Sequence, residues 1–273
     1  ASPELVAWGR KDFSATVEGI RGKRACDALV CLSGGKDSAY LASLLRGEYD
    51  LKLVGFYVDT GFQPAFSRAN LDRAADRLGI PLEVFSWPDD FSRRFYRYFF
   101  TRPLASGLTG TVCRVCQLAI ISAALGHARR RGIPLVLIGY SPYQSGGDWF
   151  YELKPEVFAS AWRAMGDFWS DPAIPPGLRG RFCIPEGPDG EPPPRLLMPL
   201  HVLNYPSERE VRARLAREGI LPSSRSLPRK TKCDLVRLLA YLDTLHFGAP
   251  PHLLLVSEKI RRGEASRWKY RAA

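Results

Sequence analysis

This 273-residue chain predicts an α/β fold: a mainly parallel, doubly wound sheet with a helical C-terminal appendage. Three observations predict it. Apolar runs of strand length alternate with segments of helical periodicity through the first half of the chain. Those runs lack in–out alternation, which fits strands covered on both faces. After residue 201 the pattern is helical throughout.

Taken in order, Ala25–Leu32 (ACDALVCL) reads as a buried strand, and Ser38–Arg46 as a helix with Ala39, Leu41, Ala42 and Leu45 on one face. Leu51–Val58 is a second strand and runs into Asp59, Thr60 and Gly61. Pro64 opens a helix that ends at Leu78 before Gly79. Pro81–Trp87 is a third strand. Cys113–Arg131 is a long helix closed by Gly132, and Pro134–Gly139 is a fourth strand. Strands joined through helices require right-handed crossovers. The expected organisation is an α/β domain over 1–170 and a Pro/Gly-rich loop over 171–200, with eight prolines between Asp171 and Pro194. A basic helical region follows over 201–273, with helices at Pro206–Glu218, Leu235–Phe247 and His252–Arg262.

The net charge is +11, and residues 201–273 hold 15 basic against 7 acidic side chains. Such a surface suits a polyanion, RNA first among them, although solvated arginine-rich helices look the same. The N-terminal residues show no signal-peptide pattern and no apolar run approaches a membrane span, so a cytoplasmic protein without a membrane partner is expected. Phe91, Phe95, Tyr96, Tyr98, Phe99 and Phe100, interleaved with Arg93, Arg94 and Arg97, could stack on bases. At helical spacing they read more readily as a core face backed by solvated arginines.

The stretch Ser33-Gly34-Gly35-Lys36-Asp37-Ser38 lies between a strand and a helix, where backbone N–H groups and the helix N-terminus cradle anions. Gly34 and Gly35 allow close approach or positive φ. Lys36 can neutralise phosphate, Asp37 can hold Mg²⁺, and the hydroxyls of Ser33 and Ser38 can donate to phosphate oxygens. Lys36 and Asp37 are expected to face solvent. The spacing is not that of a Walker A loop.

The hexapeptide SGGKDS in this context resembles the PP-loop ATP pyrophosphatases, whose α/β domain is HUP-like. The resemblance implies AMP transfer to a carbonyl-type oxygen with release of pyrophosphate, then displacement of AMP by a nucleophile. It implies that Ser33, Gly34, Gly35, Lys36, Asp37 and Ser38 hold the pyrophosphate end of ATP, with Lys36 and Asp37 catalytic. Asp59 and Thr60 match the place that contacts the adenosine half. Gly139, Tyr140 and Ser141 should face the same crevice at the carboxyl edge of the sheet.

The six cysteines do not read as a disulfide scaffold. Cys26 and Cys31 fall in the first strand and read as small core residues, and Cys183 as a free loop cysteine. Cys113 and Cys116 share one side of a helix start and undersupply a metal on their own. With Cys233 they could hold a [4Fe-4S] cluster with one iron left open. A redox pair, a zinc site and three unrelated cysteines are the alternatives.

The C-x-x-C with one distant cysteine resembles the iron–sulfur tRNA thiolation enzymes of the same superfamily, including the 2-thiocytidine and 2-thiouridine synthetases. A second resemblance runs from about residue 15 to 265 and is to the N-acetyl sugar amidotransferase branch, which uses ammonia from a glutaminase partner to form an amidine. Two departures stand out. The residues ahead of the loop carry no cysteine-rich zinc segment like that branch's. Gly139-Tyr140-Ser141-Pro142-Tyr143-Gln144 lacks the Gly-His…Asp-Asp element of the thiolation enzymes, with Asp148 the nearest substitute. Sulfur insertion is placed ahead of amidation, and a nucleotide-binding sensor without chemistry is the third reading. Expected cofactors are ATP, Mg²⁺ and the [4Fe-4S] cluster. The acceptor would be tRNA or an anionic small molecule, served by a sulfur donor or glutaminase, and a homodimer is compatible.

Overall fold

The computed structural model describes residues 2–87, 89–102, 107–142, 151–153, 166–172, 174, 192–222, 233–249, 253–261, 263 and 266–267. Asp148 and Cys183 lie outside these, as do residues 175–191 of the Pro/Gly-rich stretch and 223–232 of the basic region.

Five strands form one parallel sheet in the order β3-β2-β1-β4-β5: β1 Ala28–Cys31, β2 Leu53–Asp59, β3 Leu82–Ser86, β4 Leu135–Ile138 and β5 Arg195–Leu197. Ala28 sits opposite Leu53, Gly55 opposite Leu82, Leu29 opposite Val136 and Leu135 opposite Arg195. Side chains alternate across a strand, so Leu29 and Val136 enter one core while Val30 and Leu137 enter the other. Both faces are covered, which is why the strands read as unbroken apolar runs. Edge strand β3 is only partly buried.

One face carries α1 (Pro3–Ile20), α2 (Lys36–Gly47), α3 (Ala65–Leu78) and α7 (Glu208–Arg217), through Phe13, Leu41, Leu71 and Leu215. The other carries α4 (Asp89–Phe100), α5 (Arg114–Arg130), the short α6 (Gly166–Trp169) and α8 (Leu235–Phe247), through Phe95, Ile121, Phe168 and Leu239. A last helix, α9, spans Leu253–Arg261. Each large side chain fully buried in these cores contributes about 1.5–3 kcal/mol. The first C-terminal helix, α7, thus joins the outer layer of the sheet. Its start is held by a capping box between Ser207 and Glu210.

Two elements go beyond the sequence reading. α1 starts with Ser2 as N-cap, accepting from the Leu5 N–H, and buries Gly9, Phe13 and Val17 four residues apart. β5 emerges from the end of the stretch expected to be loop, and Arg195 ties it to Asp12 (2.9 Å), Thr16 (2.7 Å) and Glu152 (2.9 Å). The aromatic run on α4 is core: Phe91, Phe95, Tyr96 and Phe99 are buried while Arg93, Arg94 and Arg97 are exposed. One expectation needs correction. Thr109–Arg130 is long and apolar enough to span a membrane, and the fold buries Leu118, Ile121 and Leu125 of it against the sheet.

His201 ends a 3₁₀ turn after β5, and burial pulls its pKa down to about 4. An unfolded histidine titrates near 6.5. The depressed folded value gives stability present above about pH 6.5 and lost as pH falls through about 4. Denaturation profiles across that window should flatten in His201→Gln; an unchanged acid slope would remove the assignment.

Candidate active site

In the order β3-β2-β1-β4-β5 the winding direction reverses between β1 and β4, so a crevice opens there at the carboxyl ends of the strands. Ser33–Ser38 follows β1, and Gly139–Ser141 follows β4. Gly34 has φ +67°, and a Cβ on it would lie 2.0 Å from the Ser67 carbonyl oxygen of α3. Only glycine fits on both counts. Ser67 Oγ donates to the Ser33 carbonyl at 2.9 Å and fastens the loop to α3. Gly35 is the N-cap of α2 with no side-chain cap, which leaves the first N–H groups of the helix free of such a partner.

The Ser38 hydroxyl accepts from the Ser33 N–H (3.2 Å), donates toward the Gly35 carbonyl (3.2 Å) and lies 3.1 Å from Ser33 Oγ. It is 4% exposed and staples the turn. Gly139 packs on the same turn. A Cβ there would lie 2.6 Å from Ser38 Cα and 2.8 Å from the Asp37 carbonyl oxygen. Gly139→Ala should therefore push the loop off its helix and cost about 3 kcal/mol, within the range of overpacking at a rigid contact. Urea denaturation checks this, and a loss below about 0.5 kcal/mol would mean that the contact is soft.

The expectation that Lys36 and Asp37 face solvent is overturned. Their side chains are 17% and 3% exposed, because the segment leading into α7 lies over the first turn of α2. Lys36 Nζ donates to both Asp37 oxygens, at 2.7 and 2.9 Å. Tyr205 Oη donates to Asp37 Oδ1 and lies 3.4 Å from Lys36 Nζ. Tyr205 was not singled out from sequence; it stands in a loop 168 residues beyond its partner.

After β2, Asp59 Oδ1 accepts from the Gly61 N–H at 2.9 Å in a side-chain-closed turn. Thr60 is 2% exposed and held by Gln63, whose Nε2 donates to Thr60 Oγ1 at 3.1 Å. Thr60 also lies beside Tyr96. Tyr96 Oη lies 3.5 Å from Cys116 Sγ, which links the β2 turn to the thiols.

The three predicted cysteines do come into one neighbourhood. Cys113 ends a π-helical turn (Thr109–Cys113), Cys116 sits in the first turn of α5, and Cys233 precedes α8. The backbone N–H of Asp234 donates to the Phe62 carbonyl at 2.9 Å, docking the start of α8 on the β2–α3 turn. All three sulfurs pack on the same apolar core. Burial pushes the Cys113 thiol up to about 11 and Cys116 to about 12, and raises Cys233. A charge on Cys233 raises the other two further. Tyr140, which follows β4, is raised by burial and further by Cys31 and Cys116, so Cys116 lies on the β4 side of the same core.

Such a donor set, sulfur in apolar surroundings, suits a soft metal or an iron–sulfur cluster. Among the described residues, no group of three His, Cys, Asp or Glu side chains stands ready to hold a metal ion. Loading would have to draw the thiols together and deprotonate them.

A family model described as the tRNA methyl transferase HUP domain matches residues 27–139. The tRNA-specific 2-thiouridylase MnmA of Helicobacter pylori (strain HPAG1) is 34% identical over 115 residues, 41% of this chain and 33% of that protein. The enzyme of the same name from Chloroflexus aurantiacus (strain ATCC 29366 / DSM 635 / J-10-fl) is 29% identical over 210 residues, 72% of this chain and 52% of that one. The chain therefore spans about a third to a half of these relatives. A solved structure, the U34-tRNA thiolase NcsA from Methanococcus maripaludis with its [4Fe-4S] cluster, is 17% identical with a TM-score of 0.41, covering 94% of this chain and 79% of that one.

Proposed function

Because this chain belongs to the PP-loop ATP pyrophosphatase superfamily, we propose that it is an ATP-dependent enzyme that adenylates a carbonyl-type oxygen, with a tRNA base as acceptor, and replaces that oxygen with sulfur. The observation that carries this reading is the approach of the loop side and the thiol side of the sheet to one another. The loop at 33–38 and the Thr60 turn follow β1 and β2 at its carboxyl edge. Tyr96 beside Thr60 reaches Cys116 Sγ at 3.5 Å, and Cys113 and Cys233 pack on the same core as Cys116. The names of the 2-thiouridylase relatives and the surplus of basic residues after 201 support a tRNA acceptor.

In this reading Ser33, Gly34, Gly35 and the start of α2 receive the pyrophosphate end of ATP, and Asp59 and Thr60 border its adenosine half. Lys36 neutralises phosphate charge as the acceptor oxygen attacks the α-phosphorus and pyrophosphate departs. Asp37 is the residue placed to hold Mg²⁺. A sulfide equivalent then adds at the activated carbon, the C–O bond to AMP breaks, and a C=S bond remains. No electrons change hands overall. Cys113, Cys116 and Cys233 hold the sulfur-delivering group; a [4Fe-4S] cluster on them would offer one open iron for an exogenous sulfur ligand.

Pyrophosphate release from Mg-ATP, with unmodified tRNA as acceptor and sulfide as donor under anaerobic conditions, tests the proposal. Release that depends on acceptor, together with thiolated tRNA as product, is the expected result. ATP binding without pyrophosphate over a broad acceptor panel would favour a sensor instead.

A further inference from the structure

The Lys36–Asp37 pair poses a problem for any anion that docks at the start of α2. The carboxylate is 3% exposed, and its donors among the described residues are Lys36 Nζ and Tyr205 Oη. A phosphate at the loop competes with Asp37 for the Lys36 ammonium. Once the ammonium leaves, the carboxylate keeps the Tyr205 hydroxyl and gains whatever Mg²⁺ accompanies the nucleotide, in a site nearly closed to water where a buried charge short of donors is strongly unfavourable. An uncharged donor escapes that competition, because phosphate pulls far less on a phenol than on an ammonium.

Tyr205 is fixed for the task from three sides. Its ring meets the Tyr40 ring of α2 edge-on, with centroids 5.9 Å apart. Upstream, the Val202 carbonyl accepts from Arg10 Nε at 3.2 Å, and Val202 itself is fully buried. Downstream, the Ser207–Glu210 capping box starts α7 two residues later. The hydroxyl is thereby aimed at Asp37 Oδ1 from a segment anchored independently of the loop, by Arg10 and by the start of α7.

We propose that Tyr205 is a positioning residue of the ATP step: its hydroxyl holds the buried Asp37 carboxylate in place while Lys36 turns from that carboxylate to a phosphate of the nucleotide. This rests on the reading that ATP docks at residues 33–38. Tyr205 lowers the cost of releasing Lys36, so its contribution belongs chiefly to nucleotide affinity.

The test is equilibrium binding of Mg²⁺ with α,β-methylene-ATP, which cannot release pyrophosphate, to the full chain and to Tyr205→Phe, Lys36→Ala and the double variant. Tyr205→Phe keeps the ring against Tyr40 and removes only the hydroxyl. Affinity should fall about tenfold in Tyr205→Phe, the scale of one hydrogen bond to a charged group. In the Lys36→Ala background the same change should cost less than about twofold, since there is no ammonium left to release. Turnover should show the larger loss in KM for ATP. Equal losses in both backgrounds would make Tyr205 a packing residue only, and no loss at all would also overturn the proposal. If the parent chain fails to bind the analogue, the nucleotide reading itself falls, and this inference with it. Circular dichroism and melting of Tyr205→Phe accompany the titration, and the more disruptive Tyr205→Leu, which also loses the hydroxyl, must show at least the same affinity loss.

Discussion

Lys36→Ala is expected to slow pyrophosphate release by about a hundred- to a thousandfold, the scale of removing one preorganised charge stabiliser. The same substitution should destabilise the fold by about 3 kcal/mol, because it strands Asp37 in a site where the carboxylate is 3% exposed. Catalysis and stability therefore move together at this position, which a solvent-facing lysine would not do. The two effects can be separated. Lys36→Ala with Asp37→Ala removes both charges and should recover part of the lost stability without recovering any turnover. Urea denaturation gives the stability cycle, and a pyrophosphate assay on protein that remains folded gives the rate. A double variant no more stable than Lys36→Ala would mean that the pair is not the buried unit described. Unchanged turnover in Lys36→Ala would remove the lysine from the chemistry.

The fold was largely legible because periodicity reports burial. β1, β2, β3 and β4 stand within a few residues of where apolar runs put them, and Gly79, at φ +62°, ends α3 as its position suggests. α1 escaped because its buried positions are few and one of them is a glycine. β5 escaped because three residues after a proline triplet carry no pattern of their own. At the site, SGGKDS disclosed the loop, but the reasons for its residues came from tertiary contacts. Gly34 answers to the Ser67 backbone, Ser38 to the turn it staples, and Asp37 to a tyrosine beyond β5. A local reading of a loop has no access to what folds over it, which is also why it put Lys36 and Asp37 in solvent.

The cysteines divide the reaction differently. Cys113→Ala, Cys116→Ala and Cys233→Ala should each abolish detectable sulfur transfer while leaving acceptor-dependent pyrophosphate release intact, since none of the three belongs to the loop. Trading a buried thiol for a methyl group removes little volume, so each variant should lose only about 1 kcal/mol of stability and stay folded. Loss of product with retained adenylation would thus be chemical rather than structural. Iron and sulfide quantitation after anaerobic reconstitution reads the same three residues without relying on turnover. A cluster held by all three should load in the parent and fail in each variant, whereas a Cys113–Cys116 redox pair would be indifferent to Cys233. The decisive contrast is with nitrogen chemistry. If all three variants keep full turnover with ammonia as the nucleophile, the thiols are packing residues and the acceptor is an amide destined to become an amidine. If Cys233→Ala alone silences sulfur transfer, the contact that docks the start of α8 on the β2–α3 turn exists to deliver that thiol.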